Sequence, residues 1–287
     1  MFAVTGVTGQ VGALVAERLL AGRHAVRAVM RNAEKGKAWR DRGAEIAIAE
    51  MTDADALAKA FDGAEGVFVL LPPAFDPAPG FPQARAIIEA VKAAVIVASP
   101  KKVVCLSTIG AQAQQENLLT QLGIAEQVFS ALPVPVAFLR AAWFMENSAW
   151  DIASARESGV LPSFLQPLDK PVPMVAVRDV GATAAGLLQE IWTGSRIVEL
   201  EGPCRITPLQ MAEAFSAVLG RPVRAEAVAR EGWNELFLSQ GMQNPGPRMR
   251  MLDGFNEGWI EFEAGASGSR KAKTDFETAI RTLIETR

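Results

Sequence analysis

The sequence predicts an α/β protein: a doubly wound parallel Rossmann sheet with a smaller, interwoven α+β lobe. Three observations predict it. Short β-rich runs alternate with helical patterns through the first half of the chain, several of those runs are apolar without interruption, and glycines recur at positions 6, 9 and 12 directly after the first run. Continuous apolar runs such as VFVLL and VVCL suit parallel strands covered by helices on both faces. Strand–helix–strand repetition at this spacing implies right-handed crossovers.

In chain order, strands are expected over residues 2–5, 25–30, 45–49, 66–71, 103–106 and 134–139. The helices between them fall over 10–20, 33–41, 53–61, 82–94 and 118–131, with Asp53 as an N-cap ahead of an Ala/Leu-rich run. After Asn147 proline and glycine become denser. Residues 174–177 and 196–200 read as short strands, and 180–191 and 208–219 as helices; an irregular stretch follows around 241–250. The segment GASGSRKAK, residues 265–273, reads as a flexible linker before a last short helix. The expected division is a nucleotide-binding part over 1–147, with 174–192 packing back on it, and a smaller substrate lobe over 148–287.

Composition narrows the function. The 287 residues carry 29 Lys+Arg and 32 Asp+Glu, a net charge of −3 without a basic block, which offers no electrostatic footprint for nucleic acid. No apolar run approaches the roughly 18 residues of a membrane span, and Met1 leads straight into a strand pattern, so a cytoplasmic protein that does not engage membranes is expected. Two distant cysteines, Cys105 and Cys204, and one histidine, His24, leave no metal-ligand spacing and no Ser-His-Asp set. Cys105 reads as a buried small hydrophobe, His24 as structural, and Arg196, Arg205, Arg221 and Arg224 as solvated surface residues. The chain has no tyrosine.

The strongest chemical signal is FAVTGVTGQVG at residues 2–12. Gly6 permits a sharp turn, Gly9 lets backbone amides approach a pyrophosphate, and Gly12 allows close helix–strand packing. The helix that follows then presents its N-terminus to the phosphates. The spacing is G-x-x-G-x-x-G. At the end of the second strand, where NAD-binding proteins carry an acidic residue for the ribose 2′-hydroxyl, this chain has Arg31, with Lys35 close behind. A guanidinium there suits a 2′-phosphate through charge-assisted hydrogen bonds. The cofactor expected is NADP(H).

With these residues in view the chain resembles the NmrA-like family of atypical short-chain dehydrogenases. The likeness rests on TGVTGQVG, VRAVMRN, GAEIAIAEMTDADALAKAF, LRAAWFMEN, MVAVRDVGATAAGLL and FNEGWIEF, and spans nearly the whole chain. The resemblance implies that Thr8, Gln10 and Val11 help bind the pyrophosphate and that Arg31 and Lys35 hold the 2′-phosphate. It places Glu50 and Met51 near the adenine, Leu71 and Pro72 beside the ribose, and Ser107 on the nicotinamide side. Trp143, Phe144 and Asn147 would lie at the mouth of the substrate cleft. A Pro-rich segment, PPAFDPAPGFP, follows the fourth strand; Phe75 and Phe81 are expected to line that cleft.

Two departures bear on the chemistry. Without tyrosine, the Tyr-x-x-x-Lys proton-donating pair of short-chain dehydrogenases is impossible. Where many relatives have Lys or His four residues before a helix Glu, here Glu126, this chain has Leu122. Reduction of a simple carbonyl would leave its alkoxide without an acid. The expected activity is therefore hydride transfer from NADPH to a quinone or similar conjugated, small aromatic acceptor, with no catalytic residue assigned. The alternative from a different class is a non-catalytic NADP(H) sensor that controls a protein partner.

Overall fold

The computed structural model describes residues 1–286. Strands β1 (Phe2–Val4), β2 (Val26–Met30), β3 (Glu45–Ile48), β4 (Gly66–Val69), β5 (Val103–Thr108) and β6 (Val136–Ala141) alternate with helices α1 (Gln10–Ala21), α2 (Gly36–Asp41), α3 (Ala54–Phe61), α4 (Pro82–Ala98) and α5 (Thr120–Phe129). Then come β7 (Trp143–Phe144), α6 (Ile152–Glu157), β8 (Val160–Ser163), β9 (Met174–Val175), α7 (Val177–Gln189), β10 (Ser195–Glu201), α8 (Pro208–Leu219) and β11 (Arg224–Ala227). The chain ends with α9 (Trp233–Ser239), α10 (Gly246–Glu257), α11 (Gly265–Gly268), β12 (Arg270–Lys271) and α12 (Phe276–Glu285).

The main sheet has eight parallel strands in the order β3-β2-β1-β4-β5-β6-β10-β12. Chain order reverses between β1 and β4, the position at which ligands of doubly wound sheets bind, beyond the carboxyl ends of the strands. Helix caps follow the sequence: the Asp53 side chain accepts from Ala56 N at 3.0 Å, and Thr207 with Gln210 forms a capping box on α8. One core, with Val11, Val15, Leu19, Val180 and Leu187, lies under α1 and α7. The other, with Leu57, Phe61, Val91 and Phe129, lies under α3, α4 and α5.

Helix α7 packs against α1 so closely that a Cβ at Gly181 would sit 2.5 Å from the Leu14 Cβ. Strands β10 and β12 also belong to the main sheet, although both fall within the 148–287 segment. The lobe itself is small: a β8–β11 pair, a β7–β9 pair, and α8 to α10 around the fully buried Trp233, which Phe164 meets edge-on at 5.6 Å.

Three expectations are corrected. Residues 265–273 do not form a linker: α11 and β12 lie there, and β12 joins the sheet edge. Glu201, with no solvent exposure, holds it by bonds to Lys271 (2.5 Å) and Ser269, and Arg205 adds a third at 3.0 Å. Burial alone would raise the Glu201 carboxyl; these three donors outweigh it and hold the group below its usual range. The stretch expected to be irregular becomes helical from Gly246 onward. Arg196 and Arg205 are half-buried in ion pairs with Glu190 and with Glu201 and Glu261 respectively, not free surface cations.

Candidate functional site: the carboxyl ends of β1, β2, β4, β5 and β6

The glycine turn divides its labour by position. Gly6 has φ +66°, a left-handed conformation that disfavours a side chain. A Cβ at Gly12 would lie 2.3 Å from the Gly6 carbonyl oxygen and 2.6 Å from that of Thr5, so only glycine lets α1 approach β1. A Cβ at Gly9 would meet nothing nearer than 3.5 Å. Gly9 is the N-cap of α1 and offers no side-chain cap, so the amides of Gln10 and Val11 have no intrahelical acceptor. Thr8, Gly9 and Gln10 are exposed. The turn thus presents free amides and a helix N-terminus to any anion beyond β1. Across the switch point, the Leu70 amide donates to the Thr5 hydroxyl at 3.2 Å and ties the ends of β1 and β4 together.

Arg31 follows β2 immediately and is exposed, and Lys35 closes a short 3-10 turn that Asn32 caps by accepting from Glu34 N at 2.8 Å. Neither cation makes an ion pair among the described residues. Other basic residues close by in sequence do: Arg27 binds Glu45, Lys37 binds Asp41 and Arg42 binds Glu17. Two uncommitted cations therefore stand at the end of β2. Glu50 is exposed beyond β3, while Met51 packs on the core under α3. β4 ends at Val69, two residues earlier than predicted; Leu71 is half-buried and Pro72 exposed.

The Pro-rich segment is pinned in place. The Asp76 carboxylate accepts from the amides of Gln243 and Asn244, each at 2.7 Å; the Asn244 side chain donates to Pro77 O, and Gln121 donates to Ala74 O. Phe75 is 52% exposed and meets the 65%-exposed Trp150 edge-on, ring centroids 6.1 Å apart. Phe81 is a correction: at 3% exposure it caps α4 with φ 55° and lines no cleft. Trp143 and Phe144 are half-buried in β7, Trp143 lying against Phe255 at 5.3 Å. Asn147 is half-buried with no side-chain hydrogen bond among the described residues.

Ser107 is buried, and its hydroxyl donates to Glu126 at 2.5 Å. Glu126 also receives two bonds from Arg140, at 3.0 and 2.7 Å. Arg140, 3% exposed, further reaches Glu263 at 2.8 Å and Glu199 at 3.4 Å, and Glu199 accepts the amides of Glu263 and Ala264. Burial would lower the Arg140 guanidinium, but the bonds to Glu126 and Glu263 outweigh it and raise it further. The family resemblance pointed to Glu126, while Arg140 was missed, since an arginine inside a buried strand gives no periodic signal. The helix glutamate is thus bound in a structural network rather than placed beside a proton donor. His24 bonds Gln189 at 2.9 Å, and burial pushes the Cys105 thiol well above its usual range, so neither belongs to the site.

Among the described residues no cluster of His, Cys, Asp and Glu could hold a metal ion, and no helix is long and apolar enough to cross a membrane. Sheet order, glycine turn and free cations together define a doubly wound dinucleotide-binding protein. The chain belongs to the NmrA-like family, whose sequence profile matches residues 1–245. It is 32% identical over 228 residues (79% of this chain, 76% of the relative) to a (4-alkanoyl-5-oxo-2,5-dihydrofuran-3-yl)methyl phosphate reductase of Streptomyces griseus. It is 28% identical over 245 residues to an NAD(P)H azoreductase of Xenophilus azovorans, covering 84% of this chain and 82% of that one. Its fold matches that of an NADPH-dependent quinone oxidoreductase from Escherichia coli complexed with NADPH (TM-score 0.82, 22% identity, 99% of this chain and 100% of that one).

Proposed function

We propose that the protein is an NADPH-dependent oxidoreductase that passes a hydride to a quinone or similarly conjugated acceptor. The observation that carries the reading is the pairing, on one end of the sheet, of uncommitted Arg31 and Lys35 with an open aromatic mouth formed by Phe75 and Trp150. The relatives support it: one is named an NAD(P)H azoreductase, one a reductase of an oxo-dihydrofuran, and the fold neighbour an NADPH-dependent quinone oxidoreductase.

NADP(H) fits the residues present. Gly9, Gln10 and Val11 would hold the pyrophosphate, with Gly6, Thr8 and Gly12 shaping the turn, and Arg31 and Lys35 would hold the 2′-phosphate. Glu50 and Met51 would border the adenine, Leu71 and Pro72 the ribose, and the backbone at Ser107 the nicotinamide. The cofactor supplies the hydride. The protein supplies proximity: Phe75, Trp143, Phe144 and Trp150 stack or flank a planar acceptor, and the half-buried Asn147 amide orients it. An acceptor that delocalises the added charge does not need the missing Tyr-Lys pair.

NADPH oxidation followed against a panel of quinones and azo and triphenylmethane dyes tests the reading. Turnover with at least one conjugated acceptor is expected, and none with simple ketones. Leu122 and the structural engagement of Glu126 favour a second reading, an NADP(H) sensor acting on a protein partner. A sensor must bind NADP⁺ and NADPH unequally, or bind its partner differently with each. Equal affinities, no captured partner and quinone turnover would exclude it.

A further inference from the structure

The arginines withdrawn from solvent in this fold face acids, with one exception. Arg140 binds three carboxylates, Arg205 binds Glu201 and Glu261, Arg196 binds Glu190, Arg27 binds Glu45 and Arg230 binds Asp253. Arg248 of α10 is half-buried and joins no ion pair among the described residues. Its guanidinium lies over the Phe237 ring, 4.4 Å from the centroid, and Nη1 reaches the Met242 sulfur at 3.7 Å. An aromatic face repays part of the cost of withdrawing a cation from water, but a leucine or methionine would fill the same space at no such cost. Burial lowers the Arg248 guanidinium from its usual value, whereas the acids beside Arg140, Arg205 and Arg230 raise theirs.

Contacts place α10 over the acceptor side of the sheet. The turn ahead of it holds the loop that follows β4, since the amides of Gln243 and Asn244 donate to Asp76. Its first turn holds the segment that follows β5, where the Leu118 amide donates to Pro247 O at 2.9 Å. Further along, Phe255 meets Trp143, which follows β6, with ring centroids 5.3 Å apart. The helix and its leading turn thus cross the carboxyl ends of β4, β5 and β6 in order. Arg248, Leu252 and Phe255 recur at helical spacing, which puts Arg248 on the face that meets Trp143, about 10 Å back along the helix axis. The one half-buried arginine without an acid therefore stands between anchors that all belong to the cleft.

Resting on the acceptor reduction proposed above, we infer that Arg248 selects conjugated acceptors bearing a fixed oxyanion group (carboxylate, sulfonate or phosphate) by pairing with that group beneath α10. The guanidinium presents paired, coplanar donors that match two oxygens of such a group. Phe237 behind it restricts the side chain before the ligand arrives, so less rotamer freedom is lost on pairing. Acids nearby do not compete for it: Asp253 of the same helix is taken by Arg230 and Arg250, and Asp76 by two amides. A neutral acceptor would leave the cation half-desolvated and unanswered. The selection acts on binding, because the charge of such a substituent is the same before and after hydride transfer.

The test pairs an azo dye carrying a ring carboxylate with its methyl ester. Each is titrated into NADP⁺-saturated protein at pH 7, where no hydride is available, and binding is read from the absorbance of the dye. The native protein should bind the carboxylate more tightly than the ester, by on the order of 10–100-fold. Arg248→Met should bring that ratio close to one, and Arg248→Lys should keep part of it. In turnover with NADPH the loss in Arg248→Met should fall on KM for the carboxylate dye. A native protein that binds both dyes equally or prefers the ester overturns the inference without any variant. So does a ratio that survives in Arg248→Met, or a fall in kcat that is equal for the two dyes, which would assign Arg248 to charge formed during reduction. Selective binding of the carboxylate through Arg248, with no turnover of any conjugated acceptor, would overturn the proposed activity and leave the anion site standing.

Discussion

Replacing Gly12 and Gly9 by alanine separates the glycine that builds the fold from the glycine that meets the ligand. At Gly12 the added methyl would lie 2.3 Å from Gly6 O, 2.5 Å from Gly6 C and 2.6 Å from Thr5 O, all backbone atoms that no rotamer change can move. The shortfall from ordinary contact is about 1 Å, so α1 must slide outward from β1 and loosen Val11, Val15 and Leu19. Overpacking of this kind costs about 1–3 kcal/mol, and more when backbone must yield, whereas alanine returns up to ~1 kcal/mol of helix propensity. A net loss of about 2–3 kcal/mol is expected, or roughly 3–5 °C in Tm for a chain of this size. At Gly9 the methyl meets only Gly6 O at 3.5 Å and φ is −106°. The apoprotein should therefore lose less than about 1 kcal/mol, the cost of alanine at an N-cap. NADPH should distinguish the pair in the opposite sense, because a Gly9 methyl stands where the pyrophosphate approaches. Thermal melts of both variants with and without saturating NADPH make the comparison: G12A low in both, G9A near native alone but little raised by NADPH. Equal Tm losses in the two apoproteins would refute the assignment of roles.

Arg31→Asp should weaken NADPH by about 1.5–3 kcal/mol for each charged bond lost while sparing NADH, measured by fluorescence titration; equal native affinities for the two cofactors would defeat the 2′-phosphate assignment. Phe75→Ala should raise KM for an aromatic acceptor and leave NADPH affinity unchanged, and unaltered kinetics with every active acceptor would make the loop a scaffold. Asp151→Asn should stabilise the fold at pH 8 but not at pH 4. The native carboxyl is raised, so the folded state holds a proton that the unfolded state releases, and native stability declines as pH rises from about 4 to 7. The gain at pH 8 is at most on the order of 4 kcal/mol, read as the difference in Tm between the two proteins across pH. Arg140→Met should cost about 3–5 kcal/mol by leaving Glu126 and Glu199 without their cation, seen as a lower urea midpoint; an unchanged midpoint would show that those acids find other partners.

The sequence by itself determined the parallel sheet, its first six strands and the glycine turn, because these rest on local signals. Apolar runs report strands buried on both faces, and glycine spacing reports backbone conformations that no other residue adopts without strain. It also determined that these 287 residues offer no tyrosine to any site, since a residue missing from the chain is missing from every fold of it. Tertiary structure decided the rest. Residues 270–271 read as linker because a polar two-residue strand has no pattern of its own; it exists only where β10 offers an edge and Glu201 a buried charge to hold. Phe75 and Phe81 look alike in the sequence, yet one meets Trp150 at the surface and the other is sealed at the start of α4. Arg140 and Asp151 are each a single charged letter among apolar neighbours. Whether such a residue is paired, as Arg140 is with three carboxylates, or left without a side-chain partner is settled by contacts between segments distant in the chain.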